Sequence, residues 1–162
     1  MGVEIERKFL LAGDGWRQAA VRRETFRQGY LPTGGELSLR VRIAGSRAWL
    51  NLKSGGLAAR RLEFEYAIPL ADAETILDSL AAPPLIEKTR HYVPVDGFEW
   101  EIDEFHGRNE GLIVAEIELE REDQPFPRPE WLGPEVTHLP RYYNVCLARH
   151  PYADWDEAER RA

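Results

Sequence analysis

Seven short stretches of this chain alternate between polar and apolar residues, and no other feature so narrows what it can fold into. In 3–10, Glu4, Glu6 and Lys8 fall on one side and Val3, Ile5 and Phe9 on the other, with Arg7 the exception. In 37–43, Arg40 and Arg42 oppose Leu39, Val41 and Ile43; in 49–53, Asn51 and Lys53 oppose the two leucines. The same repeat runs through 61–66, 88–93, 99–105 and 113–119. A period of two is the signature of a β-strand, whose successive side chains point to opposite faces. Asp96-Gly97, between two such runs, is a strong hairpin signal, and Gly45-Ser46 a weaker one.

Helical signals are fewer. Residues 71–80 place Ile76, Leu77 and Leu80 on one stripe, with Asp72 as a candidate N-cap and Pro83-Pro84 closing the segment. Residues 14–21, 141–149 and 155–161 are weaker helix candidates. The expected architecture is a mainly antiparallel sheet of seven or eight strands with a few helices outside it. A length of 162 residues fits one domain, large enough to bury a core without a metal or a disulfide. Cys146 is the single cysteine, which excludes an internal disulfide and argues against a cysteine-based zinc site. No apolar run approaches 18 residues, and acids stand where a signal peptide would carry only basic residues, so the expectation is a cytoplasmic protein without membrane attachment. With 21 basic and 28 acidic residues, net charge −7, a general nucleic-acid binder is disfavoured, though a local basic site is not.

The charges are sorted by sign. Arg40/Arg42 and Lys88/Arg90 are cationic pairs at i, i+2; Glu4/Glu6 and Glu116/Glu118 are anionic pairs at the same spacing. Such residues point the same way, about 7 Å apart, and like charges so placed repel unless something of opposite sign lies between them. A solvated face explains any one strand taken alone. A sheet closed into a barrel would turn all the charged faces into one lumen and remove the exposed edges. Arginine and lysine grip phosphate, and paired carboxylates suit Mg²⁺ or Mn²⁺, so a polyanion held with a metal would satisfy both sets.

In order along the chain, Glu4-Ile5-Glu6-Arg7-Lys8, Gln28-Gly29-Tyr30-Leu31, Arg40-x-Arg42, Lys53 and Arg61-x-Glu63-x-Glu65 are followed by Lys88-x-Arg90, Asp103-x-Phe105 with Gly107, Gly111-Leu112 and Glu116-x-Glu118. Trp131-Leu132-Gly133 and Glu135-Val136-Thr137 close the series. This set resembles the CYTH domain, the triphosphate tunnel metalloenzymes. The resemblance implies an eight-stranded antiparallel closed β-barrel with a few outer helices, a single domain over 1–162 without the helical domain fused to some relatives, and dependence on a divalent metal, Mg²⁺ or Mn²⁺. By position it implies Glu4, Glu6, Glu116 and Glu118 as metal-site acids. Glu63 and Asp103 join Lys8 and Lys88 as candidates for the catalytic step. Lys8, Arg40, Arg42, Lys53, Arg61, Lys88 and Arg90 would bind the substrate.

The expected activity is hydrolysis of inorganic tripolyphosphate to pyrophosphate and phosphate. The rivals are thiamine triphosphate hydrolysis, cyclisation of ATP, and non-catalytic binding of polyphosphate or a nucleotide. The expected partner is a small triphosphate, not nucleic acid or membrane, and a homodimer is compatible with the sequence. The four histidines show no metal-ligand spacing, and His91 lies on the strand face opposite Lys88 and Arg90. Trp100 is read as packing, Trp49 as standing at a tunnel mouth, Cys146 as a small core residue and 154–161 as a solvated tail. Gly55-Gly56 lacks the Lys-Ser/Thr and helix of a phosphate-binding P-loop.

Overall fold

The computed structural model describes residues 3–55 and 59–161; Gly56, half of the rejected P-loop pair, lies outside them. Nine strands form: β1 (Val3–Leu11), β2 (Arg22–Leu31), β3 (Ser38–Ala44), β4 (Arg47–Lys53), β5 (Arg60–Ile68), β6 (Ala82–Val95), β7 (Phe98–Phe105), β8 (Ile113–Glu118) and β9 (Leu132–Glu135). The helices are α1 (Trp16–Ala19), α2 (Leu70–Ser79) and α3 (Asn144–Leu147). The sheet runs β5-β4-β3-β2-β6-β7-β8-β1, and β5 pairs again with β1, so eight antiparallel strands close into a barrel. β9 adds to the outer half of β1. The Asp96-Gly97 hairpin forms with both residues at positive φ, 49° and 83°, as a tight two-residue β-turn requires.

Alternation sets the two surfaces of the barrel. The outward apolar faces of β1, β6, β7 and β8 contribute Ile5, Phe9, Val93, Trp100, Ile102, Ala115 and Ile117 to a core capped by Trp16 and Trp131. The outward faces of β3 and β4 bury Val41 and Ala48 under Ala73 and Leu77 of α2. β2 passes so close to this layer that a Cβ on Gly29 would sit 2.7 Å from Leu85 and 2.9 Å from Ala81. At one end of the barrel the inward residues turn apolar: Ile86, Phe105 and Val114 pack with Tyr142 and Leu147 of the C-terminal segment, which stops that end. Arg7, the exception on β1, points outward, donates twice to Glu135 at 2.6 and 2.8 Å, and lies over the Phe126 ring.

Several expectations change. β2 had no clear alternation because both of its faces carry polar residues: Arg23, Thr25 and Arg27 outside, Glu24 and Gln28 inside. α1 is four residues long, shorter than 14–21. α2 starts after Pro69 without a side-chain cap, and Asp72 sits inside its first turn. The helix expected at 141–149 is a 3₁₀ turn, Pro140–Tyr142, followed by α3. Residues 155–161 form turns, not a helix, and the tail is tied down: Trp155 is buried against Tyr142 and Tyr152, and Arg141 donates to the carbonyls of Glu159 and Arg161. Cys146 is half-buried, not core. Trp100 is fully buried, and His91 packs against Trp16 on the outer face, as read from the sequence.

Candidate functional site

A cavity of about 310 Å³ occupies the barrel interior. Lys8, Arg40, Arg42, Lys53, Arg61, Lys88 and Arg90 line it together with Glu4, Glu6, Glu63, Glu116 and Glu118. Of the sequence-derived candidates, Asp103 alone stays behind the wall, with no solvent exposure. Trp49 lines the cavity as well.

One side of the lumen is basic and comes from β3 and β6. Arg42 Nε donates to Gln28 Oε1 at 2.8 Å and meets no carboxylate within salt-bridge distance among the described residues. Burial, and then Arg40 and Arg90, push its guanidinium down to about 9, so it is a charged group held in a place that disfavours charge. Lys88 Nζ donates to Asp103 Oδ2 at 2.7 Å and to Asn144 Oδ1 at 2.9 Å. Arg90 takes both oxygens of Asp103, at 2.8 and 2.9 Å, and reaches Glu101 at 3.2 Å. Asp103 is thereby shared, and the partners move unequally. Burial would raise its carboxyl, but Arg90 and Lys88 draw it down to about 2. Lys88 falls to about 7, through burial first, with Arg90 and Arg42 opposing the pull of Asp103.

The other side is acidic and comes from β1, β5, β7 and β8. Here most carboxylates already have cationic partners. Lys8 Nζ stands 2.7 Å from Glu116 and 3.5 Å from Glu6. Lys53 Nζ is 3.0 Å from Glu4 and 3.6 Å from Glu63. Arg61 is 3.3 Å from Glu6. Burial disfavours the charge on Lys8, yet Glu116 and Glu6 hold its ammonium well above the ordinary lysine range. Glu118 has no such partner among the described residues. Desolvation, then crowding by Glu4, Glu101, Glu63 and Glu6, pushes its carboxyl up to about 7.

A divalent cation is what this donor set suits. All the candidates are hard oxygen donors, Glu118 is surrounded by like charge, and Glu4 Oε2 accepts no directional hydrogen bond although Lys53 lies beside it. Among the described residues no three acids stand as a ready-made metal centre, because Glu4, Glu6 and Glu116 face ammonium or guanidinium groups. Glu4, Glu6 and Glu116 could hold a cation by exchanging those contacts, and Glu118 could join them without giving one up. On the basic side, Arg40 Nε is buried and without a hydrogen-bond partner among the described residues.

Sequence reasoning missed Glu101, Tyr143 and Asn144 on the cavity wall, along with Glu24, Arg47, Glu65 and Phe26. Glu101 was detectable, since it shares parity with Asp103 on β7. Glu24 and Phe26 lie on the unrecognised β2. Tyr143 and Asn144 come from the C-terminal stopper, where no periodicity announces an inward-facing residue.

Comparison with known proteins fits this geometry. The family model of the CYTH domain matches residues 2–143. A protein of Acetivibrio thermocellus named inorganic triphosphatase is 44% identical over 157 residues, covering 97% of this chain and all of that protein. One of Nitrosomonas europaea with the same name is 40% identical over 152 residues, 90% of this chain and 96% of that protein. A solved structure described as the inorganic triphosphatase NE1496 superposes with a TM-score of 0.65 at 36% identity, over 91% of this chain and 95% of that one. The PH1012 protein of Pyrococcus horikoshii, at 15% identity and a TM-score of 0.58 over 74% of this chain and 81% of that one, shares the fold.

Proposed function

The chain belongs to the CYTH domain family, and from that premise we propose that it hydrolyses inorganic tripolyphosphate to pyrophosphate and phosphate, with Mg²⁺ or Mn²⁺ as its cofactor. The observation that carries this reading is the partition of one small closed lumen into a basic side, where Arg42 lacks a carboxylate partner, and an acidic side crowded around Glu118. The similarity to two proteins named inorganic triphosphatase supports it.

In this reading Arg40, Arg42, Lys53, Arg61 and Arg90 grip the phosphate chain, with arginine offering paired donors to each phosphate. Lys8, which holds its proton firmly, is a fixed positive charge beside the reacting phosphate. Lys88, near 7, is poised to hold or release a proton at Nζ at working pH. Glu63 accepts from Asn51 at 2.9 Å and shapes the acidic side, and Asp103 keeps Lys88 and Arg90 aimed. A cation held by Glu4, Glu6, Glu116 and Glu118 would neutralise phosphate charge and lower the pKa of a bound water. Attack by water in line on the terminal phosphorus gives the two products, and most of the catalysis comes from positioning and electrostatics.

The aromatic residues argue against a nucleotide or thiamine slot. Phe26 lies under Arg42 and Arg90, Tyr92 under Arg22 and Trp49 under Arg47, so these ring faces already carry cations. The cavity volume is also at the lower end of the roughly 300–1,000 Å³ usual for ligand pockets. No helix among the described residues is long and apolar enough to cross a membrane. The test is phosphate release from tripolyphosphate, ATP and thiamine triphosphate at equal concentration, with and without Mg²⁺ or Mn²⁺. The expected result is metal-dependent release with the highest kcat/KM for tripolyphosphate. Cyclic AMP as the main product from ATP, a preference for thiamine triphosphate, or no turnover of any of the three would refute the reading.

A further inference from the structure

The C-terminal stopper does more than close the barrel. Asn144, the first residue of α3 and one position past the segment matched by the family model, places its side chain on the cavity wall. Its Oδ1 accepts from Lys88 Nζ at 2.9 Å and from Gln28 Nε2 at 3.3 Å. Gln28 is fully buried, and its own Oε1 accepts from Arg42 Nε at 2.8 Å. The amide orientations are forced. Arginine only donates, so Gln28 must turn its oxygen to Arg42 and its NH₂ to Asn144, and Asn144 must meet that NH₂ with its oxygen, the same oxygen to which Lys88 donates. On its other side Lys88 donates to Asp103, which Arg90 clamps through two bonds. One connected series thus runs Arg42, Gln28, Asn144, Lys88, Asp103, Arg90, from one strand of the basic wall to the next.

We propose that Asn144 is a positioning residue for triphosphate hydrolysis: with Gln28 it fixes Lys88 and Arg42 relative to each other, and so sets the basic half of the site. This rests on the function proposed above. The physical reason is entropy. Lys88 and Arg42 are long side chains, and each keeps several rotamers unless something holds its head. Lys88 bonded to Asp103 alone could still swing about that contact; a second acceptor from another element defines its position. Arg42 has no carboxylate to aim it, and the carbonyl of Gln28 does so instead. Gln28 in turn has its orientation decided by Asn144. Displacement of about 1 Å at a reacting group can cost a hundredfold in rate, so a residue that only aims Lys88 and Arg42 acts on kcat.

The experiment compares the wild type with Asn144→Leu, Gln28→Leu and the double variant, using tripolyphosphate with Mg²⁺, and measures kcat, KM and Tm. Leucine has the branched outline of asparagine, is one heavy atom shorter than glutamine, and removes the hydrogen bonds of either. Asn144→Leu is expected to lower kcat at least tenfold with KM changed less than threefold and Tm within a few degrees. Because both residues belong to one series, the double variant is expected to fall no more than about twofold below the slower single variant. A kcat for Asn144→Leu within twofold of the wild type, or losses that multiply in the double variant, overturns the proposal. Should Asn144→Leu not fold, Asn144→Ser, whose hydroxyl is one bond shorter and so withdraws from Lys88, is subject to the same two criteria. Failure of the wild type itself to release phosphate from tripolyphosphate would instead overturn the functional reading, so the two failures are distinct.

Discussion

Replacing Asp103 with asparagine would test whether the basic wall is held together from behind. Asp103 is fully buried and spends both oxygens on Arg90 and Lys88, at 2.7 to 2.9 Å. Its carboxyl falls from the ordinary 3.8 to about 2, a drop on the order of 2 kcal/mol. Asparagine keeps the shape, removes the charge, leaves Arg90 buried without its bidentate partner and disfavours the Lys88 ammonium further. Removing one partner of a buried pair costs about 3–5 kcal/mol. The expected loss for Asp103→Asn is therefore about 3 kcal/mol, which at about 2–4 °C per kcal/mol lowers Tm by roughly 6–12 °C. Urea unfolding of both proteins in chelator, from pH 7 to pH 3, measures it. A carboxyl depressed in the folded state contributes stability that is complete above its unfolded value and is lost as pH falls through its folded one. The wild-type advantage should thus be full at pH 5 to 7 and shrink below about pH 4. A difference under 1 kcal/mol at pH 7, or one that stays constant to pH 3, would show that Asp103 does not anchor Lys88 and Arg90.

Three further outcomes are expected. Between pH 4.5 and about 10.5, Glu118 and Lys88 should give the ligand-free protein a local stability minimum near pH 7: from pH 4.5 to 7 the folded state binds the Glu118 proton that the unfolded chain has lost, and from 7 to about 10.5 the unfolded chain keeps a Lys88 proton that the folded state sheds. Mg²⁺ should flatten the acid limb of that minimum, and a steady rise in stability from pH 5 to 7 in chelator would refute the assignment. Glu116→Gln should fold, since Glu6 remains 3.5 Å from Lys8, and lose at least about a hundredfold in rate, equal to about 2.7 kcal/mol of transition-state stabilisation; near-normal metal-dependent turnover counts against its role. Arg42→Ala should raise KM for tripolyphosphate while leaving the ligand-free Tm unchanged or higher, because it removes a cation that Arg40 and Arg90 repel. A strongly lowered Tm with KM unchanged would make Arg42 structural.

The barrel was legible because seven of its eight strands separate charge from apolar side chains cleanly, and a one-residue slip would bury the charges. Arg40 and Glu116 are 76 positions apart in sequence, yet parity alone puts both inside. What escaped notice lacked that separation. β2 carries arginines outward at 23 and 27 and a buried glutamine inward at 28, so its pattern reads as loop. The sequence equally could not tell that Asp103, which shares the parity of Glu101, sits too near the stopped end to reach the cavity surface. Its neighbours there are Lys88 and Phe105, and depth along a strand is not encoded in alternation. Asn144 was invisible for a third reason: it arrives from a four-residue helix whose placement depends on Tyr142 and Leu147 entering the apolar end of the barrel.

The ion pairs of the ligand-free lumen bear on how such a site can exist at all. Eight carboxylates and eight cationic side chains line the cavity, within a chain whose net charge is −7. An unpaired charge in a buried place is costly, and a half-paired set is where a fold fails. Here Glu116 and Glu6 neutralise Lys8, Glu4 neutralises Lys53, and Asp103 neutralises Arg90. The charged groups left under stress among the described residues are few: Glu118 and Glu101 on the acidic side, Arg42 and Lys88 on the basic side. Under the proposed function each stress would be relieved by a charge of the opposite sign, a cation for Glu118 and phosphate for Arg42 and Lys88. The two proposed ligands would also compete with the pairs already present, so a cation taking Glu116 would leave Lys8 free for phosphate, and phosphate taking Lys8 would leave Glu116 free for a cation. Coupling of this kind is reciprocal. Stability without ligand and affinity for both ligands therefore draw on the same residues, and a lumen lined by one sign of charge could supply neither.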